Sequence, residues 1–315
     1  MIGIFRITTI QKTIQNPLTR AWYPDAAIGE QVYSRGMVDF GLFGPGSATW
    51  RVSKQGVLIL GGGRALVMQV AHPLVAAGVA EHSDYREDPW GRLYRTLELM
   101  TRIAFGDTPT AEAAIARLRK VHSRVRGVSR ESAGRFPAGT PYEAGDPDLL
   151  MWVHATLVDT SLLVYEHSVG PLSIGERRRY YAEQQVWAEK LGIPLAHQPA
   201  TYAGFNEYVD AMLESDRIAV TETLREVVEA TLRPPLPTPA RALVQALNLV
   251  TVGLLPARLR EELDLSWGPR REALLGAGSR ALRRTLPLLP GVLRELPPAR
   301  RAERLMATVG HEESI

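Results

Sequence analysis

His122 is the residue whose type and spacing most clearly suit metal or haem chemistry. It repeats at helical spacing with apolar residues, so its ring should point with an apolar stripe into the core. Those apolar residues are Ile115, Leu118 and Val125. Arg119 and Arg126, three residues before it and four after, flank it on the same side. Because burial and two nearby cations disfavour the imidazolium, the ring should be neutral at pH 7, as a metal or haem iron requires.

Two interpretations of His122 stay open at this point. In the first, the neutral ring binds a metal or a haem iron, and the flanking arginines pair with the propionates of the haem. In the second, His122 is a core histidine whose ring is hydrogen-bonded to a backbone carbonyl.

A polar pair lies on the predicted helix before this one. The apolar residues at helical spacing there are Leu93, Leu97, Met100 and Ala104. Arg92 and Thr96 are one i, i+4 step apart along the edge of that stripe, which places both near the boundary of the core. The structural alternative is that Arg92 forms an ion pair with a carboxylate such as Glu98 or Asp88.

Two further histidines are expected to face inward. His72 precedes Pro73 in an otherwise apolar helical segment. Since Pro73 cannot donate to the carbonyl of Gln69, the segment should kink there and free a buried acceptor beside His72. Such kinks often border cavities, although His72 can also satisfy that backbone. His154 lies on an apolar stripe of its own, with Leu150, Leu157, Val158 and Ser161.

Composition and spacing exclude other familiar chemistries. The chain has no cysteine, which excludes disulfides, thiolate-ligated metals and haems, and a cysteine nucleophile. No acid lies three residues before any histidine, so the Glu-x-x-His pairs of a ferritin-like di-iron site are absent. Gly61-Gly62-Gly63-Arg64 lacks the third glycine of the dinucleotide fingerprint. P-loop, Gly-x-Ser-x-Gly and His-Glu-x-x-His motifs are also missing.

Helices must position the candidate residues, because helix signals dominate the sequence. An N-cap residue precedes a proline at three places, Asp88-Pro89, Thr108-Pro109 and Asp146-Pro147. Ser173 and Glu176 form a capping box that opens another helix. The predicted helices span residues 89–105, 109–126, 147–168, 173–191, 202–214, 216–232 and 240–255. The one strand-like run, residues 57–60, is short enough to be a helix end or a turn. We therefore predict an all-α protein.

Length and charge set the broad class of the protein. The chain has 315 residues, of which 45% are hydrophobic and 23% charged, as is typical of a large soluble domain with peripheral helices. No window offers the roughly 20 uninterrupted apolar residues of a membrane span, and the N-terminus lacks a signal-peptide pattern. We therefore expect a cytoplasmic protein. The near balance of 37 basic and 34 acidic residues argues against nucleic-acid binding.

The positive charge is concentrated near the C-terminus. Residues 256–305 hold eleven arginines and six acids, interspersed with leucines, a composition that suits peripheral association with an anionic membrane. We divide the chain into an N-terminal extension (1–34), a helical core (35–232), a stiff proline-rich linker (233–239) and an arginine-rich helical extension (240–315).

Four motifs follow one another along the core. They are Leu66-Val67-Met68-Gln69-Val70-Ala71-His72-Pro73, Gly91-Arg92-Leu93-Tyr94-Arg95-Thr96, Val121-His122-Ser123-Arg124-Val125-Arg126-Gly127, and Tyr142-x-Ala144-x-Asp146-Pro147-x-Leu149-Leu150-x-Trp152-Val153-His154. In order and spacing they resemble the MpaB-type oxygenase family, which includes the bacterial latex-clearing rubber oxygenases and a fungal enzyme that cleaves a farnesyl side chain. The resemblance covers roughly residues 35–230 and does not extend to the arginine-rich tail.

The resemblance implies a globin-like helical core that holds a b-type haem and activates O2 at its iron. His122 matches the family's proximal histidine, the axial ligand of the iron. Arg92 and Thr96 match the distal-side arginine and threonine of the rubber oxygenases. Arg119, Arg126, His72 and His154 complete the set of candidate cofactor-binding residues, because the two arginines flank His122 and the two histidines are expected to face inward.

The sequence departs from the rubber oxygenases on the distal side. Arg95 stands where those enzymes have a lysine that can cap the iron. Since arginine stays protonated and is a poor ligand, we expect the distal position to be open or water-filled. The distal glutamate has no clear counterpart; Glu81 is the nearest inward candidate, and His72 or His82 are possible substitutes.

Together these features predict a haem-dependent dioxygenase that cleaves the C=C bond of an apolar, isoprenoid or lipid-like alkene. His122 would bind the iron, Arg92 and Thr96 would orient dioxygen by hydrogen bonding, and Arg95 would lie beside them. The alternative is a non-catalytic helical protein that binds a haem or a lipid in the same cavity. The missing lysine and the unplaced glutamate favour this alternative.

Overall fold

The computed structural model describes residues 39–83, 89–234 and 241–312, and it describes the backbone alone at 89–90, 92–93, 241–243 and 306–312. The predicted extension at 1–34 and most of the predicted linker at 233–239 therefore lie outside the described residues.

Helices make up most of the described chain. The first are α1 (Ala48–Ser53), a 3-10 helix (Gly56–Gly61), α2 (Gly62–Val70), α3 (Pro73–His82), α4 (Pro89–Phe105) and α5 (Thr108–His122). After a short hairpin of β1 (Arg126–Val128) and β2 (Pro141–Glu143) come α6 (Pro147–Ser168), α7 (Ile174–Leu191), α8 (Tyr202–Glu214) and α9 (Glu222–Leu232). The last are α10 (Arg241–Leu254), α11 (Ala257–Glu262), α12 (Pro269–Thr285), α13 (Gly291–Arg294) and α14 (Pro297–Glu312), with a 3-10 turn at Leu286–Leu288.

The prediction of an all-α protein is confirmed, since the two-stranded β1–β2 hairpin is the only sheet in the described part of the chain. The globin-like arrangement of the core stays a prediction. Helices α4, α6 and α8 have the bounds predicted from their caps. The capping box is also present: Glu176 accepts a hydrogen bond from the backbone N of Ser173 at 2.7 Å, and the Ser173 hydroxyl accepts one from the backbone N of Glu176 at 3.3 Å.

Two predicted helices are too long, and both errors have a local cause. Helix α5 ends at His122 and not at residue 126, because Ser123 caps it and Arg126 pairs with Glu143 in the β1–β2 hairpin. Helix α9 begins at Glu222 and not at residue 216, because the Thr221 hydroxyl caps it by accepting from the backbone N of Leu224 at 3.0 Å. The run at 57–60 belongs to the 3-10 helix and is not a strand.

Helix α6 lies at the centre of the core and is buried on several sides. Trp152 is fully buried and donates its indole N–H to the carbonyl of Met68 in α2 at 3.1 Å. Arg64 joins three helices, since its guanidinium donates to Asp159 at 2.7 Å, to Thr160 at 2.5 Å and to the carbonyl of Leu254 in α10 at 2.6 Å. A buried arginine is tolerated here because each of these bonds compensates its lost hydration.

The predicted kink at Pro73 is a complete break between two helices. The stretch Gly56–Val70 and α3 meet at 108°. No single helix in the described ranges is long and apolar enough to cross a membrane, and this bent pair reaches that length and apolar composition only when its two arms are taken together.

The arginine-rich segment packs on the core. Leu259 of α11 is 0% exposed, and Arg258 donates to the backbone carbonyls of Leu213 at 2.5 Å and Ser215 and Ile218 at 3.0 Å. In α14, Glu303 accepts a hydrogen bond from the indole N of the buried Trp50 at 2.9 Å. Arg258 thus satisfies backbone carbonyls at and just after the C-terminus of α8, and α14 packs against α1. The arginine-rich segment is therefore part of the folded body of the protein.

Candidate functional site

Helices α4 and α5 form a hairpin that brings the candidate residues to one end. Only Gly106 and Asp107 separate the two helices, which pack against each other. Arg92 precedes this turn and His122 follows it by about the same number of residues, roughly 21 Å of helix at 1.5 Å per residue. Because the helices run back from the turn side by side, Arg92 and His122 both lie at the open end of the hairpin.

His122 occupies the last turn of α5, and the predicted stripe is confirmed as far as His122, whereas Val125 lies beyond the end of the helix. Ile115 is buried, and Leu118, His122 and Val125 are half-buried. Burial lowers the pKa of His122 below 6.5, so its ring is neutral at pH 7. In the part of the chain that the structure describes, no hydrogen bond reaches this ring. The alternative in which a backbone carbonyl holds the ring therefore finds no support among the described residues.

The two flanking arginines do not act as predicted on the charge of His122. Arg119 is exposed, and Arg126 lies in β1, outside the helix, so the expected i+4 relation is wrong. Burial alone lowers the pKa of His122, because the guanidinium groups are well solvated. Both arginines are nevertheless close to His122 along the chain and exposed, so they remain able to bind an anionic group.

The polar pair on α4 is described in part. Arg92 lies in the helix, but its side chain is outside the described residues. Arg95 and Thr96 are exposed, and each takes part in an interaction. The proposed ion pair between Arg92 and Glu98 meets a competitor, since Glu98 pairs with Arg102 one turn further on, at 3.0 Å. The other proposed partner, Asp88, is outside the described residues.

His72 is a buried helix cap. Its Nδ1 accepts a hydrogen bond from the backbone N of Leu74 at 3.3 Å, which starts α3 with Pro73 in the first turn. Burial, and next the charge of Arg217, lower its pKa to about 4. The expected free acceptor is absent, because the carbonyl of Gln69 accepts from the backbone N of His72 at 3.3 Å. Within the described ranges, the burial of His72 is therefore explained by its role as the N-cap of α3.

His154 is buried as predicted, and one of its nitrogens lacks a partner. Its Nε2 is fully buried and has no hydrogen bond, and the same holds for the indole N of Trp187 in α7. The two rings meet edge to face with centroids 6.2 Å apart. Burial lowers the pKa of His154 to about 4. Buried polar atoms are usually paired. In the described part of the chain, these two ring nitrogens therefore form a buried site with unsatisfied hydrogen-bonding groups.

This polar pair adjoins the α4–α5 hairpin. Trp187 packs in one apolar cluster with Ile103 of α4 and Ile115 of α5, and the half-buried Leu99 and Met100 pack against that cluster. His154 thus contacts Trp187, which in turn packs against residues of both helices of the hairpin.

Glu81 belongs to a polar cluster that the sequence did not indicate. It accepts hydrogen bonds from the hydroxyl of the buried Tyr142 at 2.5 Å and from Arg130 at 2.9 Å. A Cβ on Gly127 would lie 2.6 Å from Glu81 and 2.7 Å from the Tyr142 hydroxyl, so only glycine fits there. The ring of His82 lies edge to face with that of Tyr142, 6.4 Å between centroids. Tyr142 opens the fourth sequence motif, which was the available signal.

The hydrogen bond from Tyr142, and next the charged contact with Arg130, lower the pKa of Glu81 below 4.5. Burial and the contact with Glu81 raise the pKa of Tyr142 above 10. At neutral pH the pair therefore consists of a carboxylate and a protonated phenol, and Glu81 is held in its charged form.

We expect Tyr142→Phe to weaken the acid sensitivity of folding. A carboxyl whose pKa is lowered in the folded state stabilises the fold above its unfolded pKa, and this contribution is lost as the pH falls through the folded value. The wild type should therefore lose more free energy of unfolding than Tyr142→Phe as the pH falls below about 4.5. Urea unfolding at a series of pH values measures the difference. In a Glu81→Gln background the tyrosine substitution should no longer change the pH dependence, and an unchanged effect there would assign it to another group.

The donor set at the open end of the hairpin fits a haem. The described residues include no group of three or more His, Asp or Glu side chains that could hold a metal ion by themselves. A haem brings its own four nitrogens and needs one axial ligand from the protein. His122 is a neutral imidazole without a hydrogen-bond partner in the described chain, and Arg119 and Arg126 are cations that suit carboxylates.

Comparison with known proteins agrees with the motifs. The family model described as "ER-bound oxygenase mpaB/B'/Rubber oxygenase, catalytic domain" matches residues 50–288. The match extends beyond residue 230, where the resemblance of the motifs was expected to end, and it includes α10 to α12. The uncharacterized proteins Mb2261 of Mycobacterium bovis and Rv2237 of Mycobacterium tuberculosis are each 28% identical over 215 residues, 66% of this chain and 80% of theirs. No solved structure matches significantly.

Proposed function

Because the chain belongs to the family of MpaB and rubber oxygenase catalytic domains, we propose that it is a haem-dependent oxygenase that cleaves the C=C bond of an apolar, isoprenoid or lipid-like alkene. One observation carries the proposal: the neutral, half-buried ring of His122, without a hydrogen bond in the described chain, lies at the same end of the hairpin as Arg92.

The proximal side follows from α5. His122 would supply the nitrogen that binds the haem iron, and its burial favours the neutral ring at neutral pH. Arg119 and Arg126 are exposed on either side and would bind the propionates, where a guanidinium can pair with a carboxylate through two hydrogen bonds. The bound haem would supply the activation of O2.

In this proposal, residues of α4 would interact with O2. Arg92 and Thr96 lie one helical turn apart, so both side chains can donate hydrogen bonds to one small ligand. The guanidinium of Arg92 would stabilise the negative charge that develops on O2, and the Thr96 hydroxyl would orient the O2 molecule by a hydrogen bond. Arg95 would not compete as a ligand, because a guanidinium is a poor metal ligand. The apolar cluster around Ile103 and Trp187 would exclude water and hold an apolar substrate.

Labelled dioxygen tests the reaction. We expect haem-loaded, reduced protein to convert farnesyl or longer isoprenoid alkenes into aldehydes or ketones that carry the label, because oxidative cleavage places oxygen from O2 on each carbon of the broken bond. Mass spectrometry of the products measures the label, with protein lacking haem as the control. If fully loaded protein yields no labelled carbonyl from a broad panel of apolar alkenes, the oxygenase proposal is wrong.

A second candidate, a non-catalytic protein that binds haem or lipid, is favoured by the environment of Glu81. Rubber oxygenases carry a distal glutamate, but Glu81 accepts hydrogen bonds from Tyr142 and Arg130. A carboxylate that already accepts two hydrogen bonds is a weak base and is poorly suited to take a proton from a substrate. Haem binding without turnover in the labelled-dioxygen experiment would support this candidate.

A further inference from the structure

A short segment near the C-terminus presents apolar side chains to solvent. Between α12 and α14, four aliphatic residues in the six positions from 288 to 293 are exposed: Leu288 by 81%, Leu289 by 38%, Val292 by 56% and Leu293 by 70%. We call these four residues the apolar tip. Large aliphatic side chains that cluster at the surface without packing partners commonly mark an interaction site.

The backbone on both sides of the apolar tip is fixed to the body of the protein. Before the tip, Leu286 is buried, and Arg283 donates hydrogen bonds to the backbone carbonyls of Glu166 and His167 at the end of α6. After the tip, Glu295 forms a salt bridge with Lys54 at 3.1 Å, and the backbone N of Leu296 donates to the carbonyl of Lys54 at 2.8 Å. The tip is therefore held outward by contacts on both flanks and does not depend on a loose chain end.

The charged residues from 274 to 294 are all basic, and Glu295, the acid that follows the apolar tip, is paired with Lys54 and Arg294. Residues 274–294 hold four arginines and no acid. Two of these arginines are engaged, Arg283 with the end of α6 and Arg294 with Glu295 at 3.1 Å. Arg280 and Arg284 are exposed, and neither forms an ion pair within the described ranges. Exposed leucines flanked by guanidinium groups without an ion pair are complementary to the surface of a lipid bilayer, where phosphates lie above apolar chains.

We propose that the apolar tip docks the protein on a lipid bilayer that contains anionic lipids. The aliphatic side chains enter the interfacial region, and Arg280 and Arg284 bind headgroup phosphates. Charge complementarity favours this occupant over a second copy of the chain, because pairing two tips would bring like-charged arginines together. The proposal narrows the predicted membrane association from the whole arginine-rich segment to one tip, and it does not depend on haem or on turnover.

Sedimentation with vesicles tests the proposal on the full chain. The protein should bind vesicles of phosphatidylcholine with phosphatidylglycerol, and bind phosphatidylcholine alone much more weakly. The double variant Leu288→Ser/Leu293→Ser should lower the partition coefficient by roughly tenfold or more, since two leucines no longer leave water. Arg280→Gln/Arg284→Gln should lower it by roughly tenfold at low salt and by less at high salt.

The control variant replaces two exposed aliphatic residues on another part of the surface. Ile174 and Val186 of α7 are 55% and 49% exposed, so Ile174→Ser/Val186→Ser should bind vesicles as the wild type does. Circular dichroism should show all variants folded. Equal vesicle binding by the wild type and the tip variant would overturn the proposal. A dimer in solution that the tip variant dissociates, without vesicle binding, would overturn it as well and assign the tip to a second copy.

Discussion

His122→Ala should abolish haem binding. The wild type, expressed with a haem precursor, should show a Soret band, and the variant should lose it during purification, because no other histidine among the described residues combines a neutral, unbonded ring with a place at the open end of the α4–α5 hairpin. Absorption spectra of equal amounts of folded protein measure the effect. A variant whose Soret band keeps its position and intensity would remove His122 from the role of axial ligand.

Two further variants separate ligation from folding. His167→Ala changes another half-buried histidine, whose Nδ1 contacts the hydroxyl of Ser279 in α12 at 3.4 Å, and it should keep the haem. In His122→Gly, added imidazole should restore a Soret band, because a free imidazole can replace the lost ring at the iron. Failure of imidazole, together with a lowered melting temperature, would show that His122 acts through the fold.

The helices could be predicted where a local signal marks each end. In the sequence, an aspartate before a proline indicated the starts of α4 and α6, and Ser173 indicated that of α7. The end of α5 could not be predicted in this way, because it depends on the pairing of β1 with β2, about 15 residues further along the chain. Gly127 indicated the end of the helix, but it lies within β1, which begins at Arg126, and the helix has already ended at His122.

The glycine run after residue 60 shows a similar limit. Its failure to match a nucleotide-binding fingerprint was evident from the sequence. Its actual role depends on packing: a Cβ on Gly63 would lie 2.5 Å from the hydroxyl of Thr251 in α10. Glycine at this position lets α2 and α10 approach closely. Only the tertiary structure brings these two residues together, nearly 190 residues apart in sequence.

The candidate site was predictable in its residues and less so in its environment. Helical periodicity placed His122 and His154 on inward faces, as observed. It could not show that His72 caps α3, or that Tyr142 holds Glu81 through contacts across the β1–β2 hairpin. Contacts between elements that are distant in sequence decide whether a titratable side chain is free for chemistry or already engaged, and periodicity contains no information about them.

Arg92→Leu should preserve the haem spectrum and strongly reduce turnover. Arg92 lies on α4 and the proposed iron ligand, His122, lies on α5, so the substitution leaves that ligand unchanged. It removes a charged donor that would stabilise negative charge on oxygen in the transition state. One such donor contributes about 2.7 to 4 kcal/mol, so turnover of an apolar alkene should fall by roughly a hundredfold or more. Single-turnover rates at equal haem occupancy measure this.

Arg117→Leu is the control for loss of an arginine at another position. Arg117 is an exposed arginine on α5, so its replacement removes the same charge without removing a donor from the distal side, and turnover should stay within about twofold, since surface substitutions are usually small in effect. Arg92→Lys should recover part of the rate, because an ammonium keeps the charge but lacks the planar fork of donors. If turnover is unchanged in Arg92→Leu, the oxygenase proposal stands but Arg92 has no part in stabilising charge on oxygen, and that role then falls to Thr96.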